Sequence, residues 1–405
     1  MNTTTLHITK YRNSSLGLIP EDWEIIEFGE FTERSRNQHL PKLGGNFKCL
    51  ELEHFEQGTG NILGYVNSSE QKSSKNKFVK GQVLFGKLRP YLKKYWLTEF
   101  EGVCSSEVWV LNSKSNKCTN DFIFRLVQSN RFIQVANVSS GSKMPRADWD
   151  YVSNFPFSIP PLPEQNAIAN CLSTWDKTIE KQAALIAQKE LSKKALMQQL
   201  LSGKKRLKGF GGEWKEYHLK DMFSERNDTG YLNLALLSVG ATGIYPQSEA
   251  IKKDNSNEDK SKYKRICVDD IGYNTMRMWQ GRSALSSLEG IVSPAYTVVT
   301  PNINAYSMYF SYLFKTPKLI NLFWRNSQGL VNDTLNCKYK DFARIKYFLP
   351  EREEQTAIAD VLQCADEEIQ LLKKKLDQLK EQKKGLMQVL LTGKKRLRIK
   401  HTSHK

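Results

Sequence analysis

Many side chains in this sequence could do chemistry, and their spacing excludes most of it. A nuclease centre needs clustered acids and a lysine around Mg²⁺, yet the acidic pairs Glu51/Glu53 and Asp269/Asp270 lack the PD…(D/E)xK order. An amino-methyltransferase needs a [DNS]PP[YFW] run and a glycine-rich cofactor turn after a strand. Asn154–Phe157 reads NFPF, without the first proline, and the FGGE of Phe210–Glu213 follows a helical pattern. The GKKR at Gly203 and Gly393 lacks the upstream glycine and the hydroxyl residue of a phosphate-binding loop. Six histidines are isolated, and seven cysteines are scattered without a CxxC, so no zinc site or disulfide framework is indicated. The chain reads as non-catalytic, with no metal or cofactor of its own.

The other kind of chemistry is recognition of a polyanion. The formal charge is +17 and the pI near 9.4, a balance that points to nucleic acid. In FGKLRPYLKKYW, Lys87, Arg89, Lys93 and Lys94 alternate with Tyr91, Tyr95 and Trp96, and the loop GSKMPRADW adds Lys143 and Arg146. Further on, NTMRMWQGR supplies Asn274, Arg277 and Arg282, and SQGLVNDTLN supplies Gln328, Asn332, Asp333 and Asn336. Cations supply a salt-dependent phosphate attraction, and arginines and amides can read base edges. The blander alternative for each residue is a solvated charge or, for the aromatics, core packing.

These runs occur twice because the chain does. Glu164–Leu207 and Glu354–Leu397, 190 positions apart, share 21 of 44 residues without a gap, which is an internal duplication. The segments before each copy are more distantly related. VLFGKLRPY at Val83 aligns with IGYNTMRMW at Ile271, placing Arg89 over Arg277; GVCSSEVWV at Gly102 aligns with GIVSPAYTV at Gly290, Gly141 with Gly329, and Trp23 with Trp214 after a small shift. Four parts follow: a mixed globule over 1–160, a repeat helix over 161–208, a second globule over 209–349, and a second helix with its tail over 350–405. Strands are expected at Val83–Phe85, Val108–Leu111, Leu234–Val239 and Tyr296–Val299, and helices near Asp121–Gln134 and Tyr306–Trp324. Prolines 156, 160, 161 and 163 close the first globule and open the first repeat helix, and Pro350 opens the second.

The second helix carries an alternating four-three stripe of Ile358, Leu362, Ala365, Ile369, Leu372, Leu376, Leu379, Leu386 and Leu390, broken by Lys383. The first carries Ile168, Leu172, Trp175, Ile179, Ile186, Leu196 and Leu200, with Gln182, Lys189 and Lys193 between them. Packed antiparallel about a pseudo-twofold axis, helices of about 35 residues make a coiled-coil rod of roughly 50 Å, a spacer between two heads. The basic ends Lys204, Lys205, Arg206 and Lys394, Lys395, Arg396 either favour the helix dipole or contact phosphate or a partner subunit. No apolar leader or membrane-length run is present, and a cytoplasmic protein is expected.

The openings GLIPEDWEIIEFGEF and FGGEWKEYHLKDMF, the phrases IPPLPEQNAIA and LPEREEQTAIA, and the endings LLSGKKRL and LLTGKKRL together resemble the specificity subunit of a type I restriction-modification enzyme. The resemblance implies a mixed α/β fold with two target-recognition domains, each reading half of a bipartite asymmetric double-stranded DNA site. The paired helices would set the unread spacer and dock two methyltransferase subunits, and translocase-nuclease subunits would complete the enzyme. S-adenosylmethionine, ATP and Mg²⁺ would be used on those other subunits. The alternative from another class is a coiled-coil scaffold whose globules bind protein.

Overall fold

The computed structural model describes residues 10–40, 46–114, 116–138, 144–240, 243–249, 256–331 and 334–397. It divides into two compact units, one of residues 1–183 with 375–405 and the other of residues 184–374. Both are mixed α/β.

Unit 1 is built on a four-stranded antiparallel sheet, in spatial order Tyr95–Leu97, Val83–Gly86, Val108–Ser113, Thr32–Arg34. A five-stranded sheet adjoins it, with Lys75–Phe78 antiparallel and Lys48–Leu50 parallel to the central Gly102–Ser105. The helices Asn120–Gln128 and Asn130–Ala136 cover the first sheet, and their core gathers Trp23, Phe28, Phe31, Phe85, Trp109, Phe122 and Phe132. One helix was expected here. Ser129 divides it, with extended backbone and a hydroxyl that accepts from the Phe132 amide, because a side-chain cap starts a new helix. Pro156 opens a strand, Pro156–Ile159, not the helix; it pairs with Glu24–Glu27 and returns the chain to its beginning.

Unit 2 repeats the four-stranded sheet, while among the described residues two-stranded pairs, Leu237–Val239 with Ile244–Pro246 and Lys264–Ile266 with Gly290–Val292, stand where unit 1 has five strands. Its four-stranded sheet runs Ser283–Leu285, Ile271–Asn274, Tyr296–Pro301, Phe223–Arg226, matching the first sheet strand for strand. Lys346–Leu349 closes back on Lys215–His218. The expected helix near Tyr306–Trp324 is again two, Ser307–Leu313 and Pro317–Asn326, because Pro317 suits a first turn and not an interior. The distant likeness of the globules is therefore a likeness of topology.

The long helices span Leu162–Leu200 and Arg352–Leu390, 39 residues each. Within unit 1 the start of the first packs against the end of the second, so Ile168 and Leu172 share a core with Leu386, Leu390 and Leu391. Within unit 2 the partners exchange, and Leu196 and Leu200 share a core with Ile358 and Leu362. The helices run antiparallel in both. Every expected seam residue, from Ile168, Trp175, Ile179 and Ile186 to Ile369, Leu372, Leu376 and Leu379, is buried or half-buried.

The lysines that interrupt the stripe have partners. Lys383 bonds Asp176 in unit 1, and Lys193 reaches Asp366 at 2.5 Å in unit 2. Lysine and aspartate are each 190 positions apart, so the two bridges are copies. Lys189 adds a bridge to Glu368 at 2.6 Å, and Gln182 is buried. A charged pair at a seam tolerates few alternative registers, since sliding one turn leaves a half-buried charge unpaired.

Candidate nucleic-acid interface

In each unit the turn after one central strand meets the loop before the closing strand. In unit 1 the Arg89 amide donates to the Pro145 carbonyl at 2.8 Å, and the Ala147 amide donates to the Lys87 carbonyl at 2.9 Å. In unit 2 the Cys337 amide donates to the Thr275 carbonyl at 2.9 Å. Ala147 and Cys337 are 190 apart and Lys87 and Thr275 are 188 apart, so one pairing is made twice. The two candidate segments of each globule thus form one surface.

The unit 1 turn is tightly wound around Pro90. Arg89 and Lys93, on either side of the short helical turn Pro90–Leu92, hold left-handed backbone with φ of 52° and 53°. Non-glycine residues enter that region at a cost, here offset by the Arg89–Pro145 bond and by the Gly58 amide donating to the Lys93 carbonyl at 2.9 Å. Arg89 and Tyr91 are exposed, while Lys87 and Lys93 are half-exposed. Arg146 is exposed and bonds Glu107 at 3.1 Å.

Lys94 is placed differently. Its Nζ donates to the Leu52 carbonyl at 2.6 Å, and burial lowers the pKa of its ammonium. Tyr95 and Trp96, read as interleaved aromatics, lie in the core at 3% and 4% exposure. A strand begins at Tyr95, which turns the two rings into the sheet's two cores.

In unit 2, Arg277 and Arg282 are exposed, and Asn274 is half-buried with its Oδ1 accepting from the Met276 amide at 3.0 Å. Gln328 and Asn336 exchange backbone bonds of 2.9 and 2.8 Å across the neck of their loop. Lys143, Asn332 and Asp333 lie outside the described residues. Composition missed the exposed Met276, Trp324, Leu330 and Val331 beside these polar groups, because apolar residues in a basic run suggest core.

The repeat ends hold the frame of each unit. Arg396 grips the carboxylate of Glu164 with Nε and Nη2 at 2.9 and 2.5 Å, and Trp23 donates its indole N–H to the same group at 3.0 Å. In unit 2, Arg206 grips Glu354 with two bonds of 2.6 Å, and Trp214 donates at 3.2 Å. Each glutamate starts one long helix and each arginine follows the end of the other. Glu164 and Glu354 are buried, and the fork geometry of guanidinium suits a buried carboxylate. Hydrogen bonds to the carboxylates raise the pKa of both guanidinium groups.

Two differences separate the clasps. Arg396 also binds Asp22 at 2.7 and 2.8 Å, whereas Arg206 donates to the Gly212 carbonyl at 2.7 Å. Gly203 and Gly393, with φ of 71° and 69°, end the helices in left-handed backbone and aim the arginines. Lys204, Lys205, Lys394 and Lys395 stay exposed.

Gln165 and Gln355, next to the clasps, latch the globules. Gln165 donates to the Lys117 and Pro160 carbonyls and accepts from Thr119. Gln355 donates to Asn304 and Pro350 and accepts from Tyr306. Among the described residues no three His, Cys, Asp or Glu gather as metal ligands would, and no helix is long and apolar enough to cross a membrane.

A family model of the type I restriction modification DNA specificity domain matches residues 20–190 and 211–381. The sequence is 33% identical over 181 residues to the type I restriction enzyme EcoDI specificity subunit of Escherichia coli, a match spanning 43% of this chain and 40% of that protein. It is 25% identical over 429 residues to the MjaVIII specificity subunit of Methanocaldococcus jannaschii, covering 94% of each. The fold is similar to that of the HsdS subunit from Thermoanaerobacter tengcongensis, with TM-score 0.52, 18% identity and coverage of 93% and 98%. A chain solved in a study of complex assembly and conformational transition of the type I R-M system gives TM-score 0.61 at 18% identity, covering 93% of this chain and 99% of that one.

Proposed function

The chain belongs to the family of type I restriction-modification DNA specificity domains and acts in DNA sequence recognition within such a system, and from that premise we propose how its parts divide the work. Each unit reads one half of a bipartite, asymmetric duplex site through its paired loops. In unit 1 the contacts come from Lys87, Arg89, Lys93 and Arg146, and in unit 2 from Asn274, Arg277, Arg282, Gln328 and Asn336. The long helices set the unread spacer and dock two methyltransferase subunits, with Lys204, Lys205, Lys394 and Lys395 free for that partner or for phosphate. Translocase-nuclease subunits complete the assembly. Catalysis, with S-adenosylmethionine, ATP and Mg²⁺, resides on those other subunits, and the protein works in the cytoplasm.

The observation that carries this reading is the loop pairing made twice on one frame, with different side chains displayed in each copy. Two heads that differ only in what they present suit a site with two unlike halves. The mechanism is tested by deleting one heptad from both long helices and mapping the modified sites. The expected result is unchanged half-sites at a changed separation. An unchanged separation would contradict the spacer role.

A further inference from the structure

The polar residues assigned to unit 2 surround an apolar tip that contacts to phosphates and base edges do not use. Leu330 is 101% exposed and Val331 61%, and Trp324, about half exposed, lines a cleft with them. Folded chains place large apolar groups together in water where something is to cover them.

The base of the tip is pinned by backbone bonds. Its neck is the reciprocal Gln328–Asn336 pair, anchored to the neighbouring turn by the Cys337–Thr275 bond. Gly329 has φ of 152°, and a Cβ there would lie 2.7 Å from the Thr334 carbonyl oxygen, so this bend admits glycine. Thr334 closes the tip, its amide donating to the Val331 carbonyl at 2.9 Å and its hydroxyl accepting from the Val331 amide at 3.3 Å. A cleft of about 320 Å³, lined by Trp324, Arg325, Leu330 and Leu335 among others, undercuts it.

The setting selects the occupant. The turn that anchors the neck carries the exposed Arg277 and Arg282, and Arg325 flanks the cleft and is exposed. A surface that places cations around a projecting aliphatic tip suits a duplex, with phosphates outside and stacked bases within. Aliphatic side chains entering between base pairs unstack a step and kink the helix. The turn and loop of unit 1 expose Tyr91 and Met144 in the same setting.

We propose that Leu330, supported by Val331, is an apolar wedge that enters the DNA at the half-site of unit 2 and unstacks one base step. The inference rests on the reading of unit 2 as a DNA-binding head.

The test uses the full chain assembled with its partner subunits and duplexes carrying 2-aminopurine at successive positions of the recognised site. A fluorescence rise is expected at a step within the unit 2 half-site, and Leu330→Ala should abolish it while weakening binding about tenfold, the scale of one lost groove contact. The salt dependence of binding should keep its slope, because no phosphate contact is removed. Leu330 buries nothing in the protein, so thermal unfolding of the variant should match the parent. A variant that binds, modifies and fluoresces as the parent does would overturn the wedge. So would one that binds DNA normally but no longer assembles, which would make the tip a protein-docking patch. Failure of the parent assembly to bind any bipartite site would instead refute the DNA-reading role, and shows before a variant is made.

Discussion

Glu164 in unit 1 and Glu354 in unit 2 accept the same three bonds from the same two residue types, yet Arg89 and Arg277, at matching places in their turns, stand in different company. Arg89 is wound left-handed beside Pro90 and Tyr91, whereas Arg277 has φ of −130° and neighbours Met276 and Met278. The buried clasp requires a fork, a carboxylate and an indole in one geometry, and few other side chains meet that requirement. An exposed turn requires only its backbone pairing, so its side chains can suit a target. Two copies of one unit can therefore differ in what they read without differing in how they stand.

The clasp offers the largest way to break this likeness. Arg206→Ala should destabilise unit 2 by about 3 kcal/mol, because it strands the buried Glu354 charge; Arg396→Ala should do the same in unit 1 and also free Asp22. Hydrogen exchange measured unit by unit should show the loss confined to the altered unit. Replacing arginine and glutamate together by methionine should recover much of it. The latches come next: Gln165→Ala and Gln355→Ala each leave buried backbone groups unsatisfied and should cost about 2 kcal/mol in urea unfolding.

The seam sharpens the comparison. Asp176 holds both Lys383 and Arg125, whose side chain is 6% exposed, whereas Asp366 holds Lys193 and the Tyr312 hydroxyl. Asp176→Asn should therefore cost more than Asp366→Asn, by about 1 kcal/mol, since it weakens the compensation of a buried guanidinium. The smallest effect on stability belongs to Arg277→Ala, within about 0.5 kcal/mol as expected for an exposed site. Its effect on modification should be large and confined to one half-site, read by sequencing methylated DNA.

The sequence showed the duplication, the long helices and their seam, because four-three spacing survives in Ile358–Leu390 whatever surrounds it. It also aligned Val83–Tyr91 with Ile271–Trp279, and both runs open on the matching central strand. The clasp was not legible. Arg396 and Glu164 are 232 positions apart, and a basic cluster after a helix has an ordinary explanation in the dipole. Lys383 and Lys193 looked like breaks because their aspartates lie on the other helix. Tyr95 and Trp96 alternate with cations in the sequence yet lie in the core, because alternation alone does not tell which face of a strand meets a core. The tip at Leu330 was hidden by its composition, since exposure of a leucine is a property of the folded chain.

The most direct measurement is to sequence the DNA of the native host for methylated bases, alongside a strain lacking this chain, with the partner genes expressed in both. The account predicts a bipartite methylated motif, two unlike half-sites around a fixed unread spacer, that disappears with the chain. A bipartite motif that persists without the chain, or none in the native host, would contradict it.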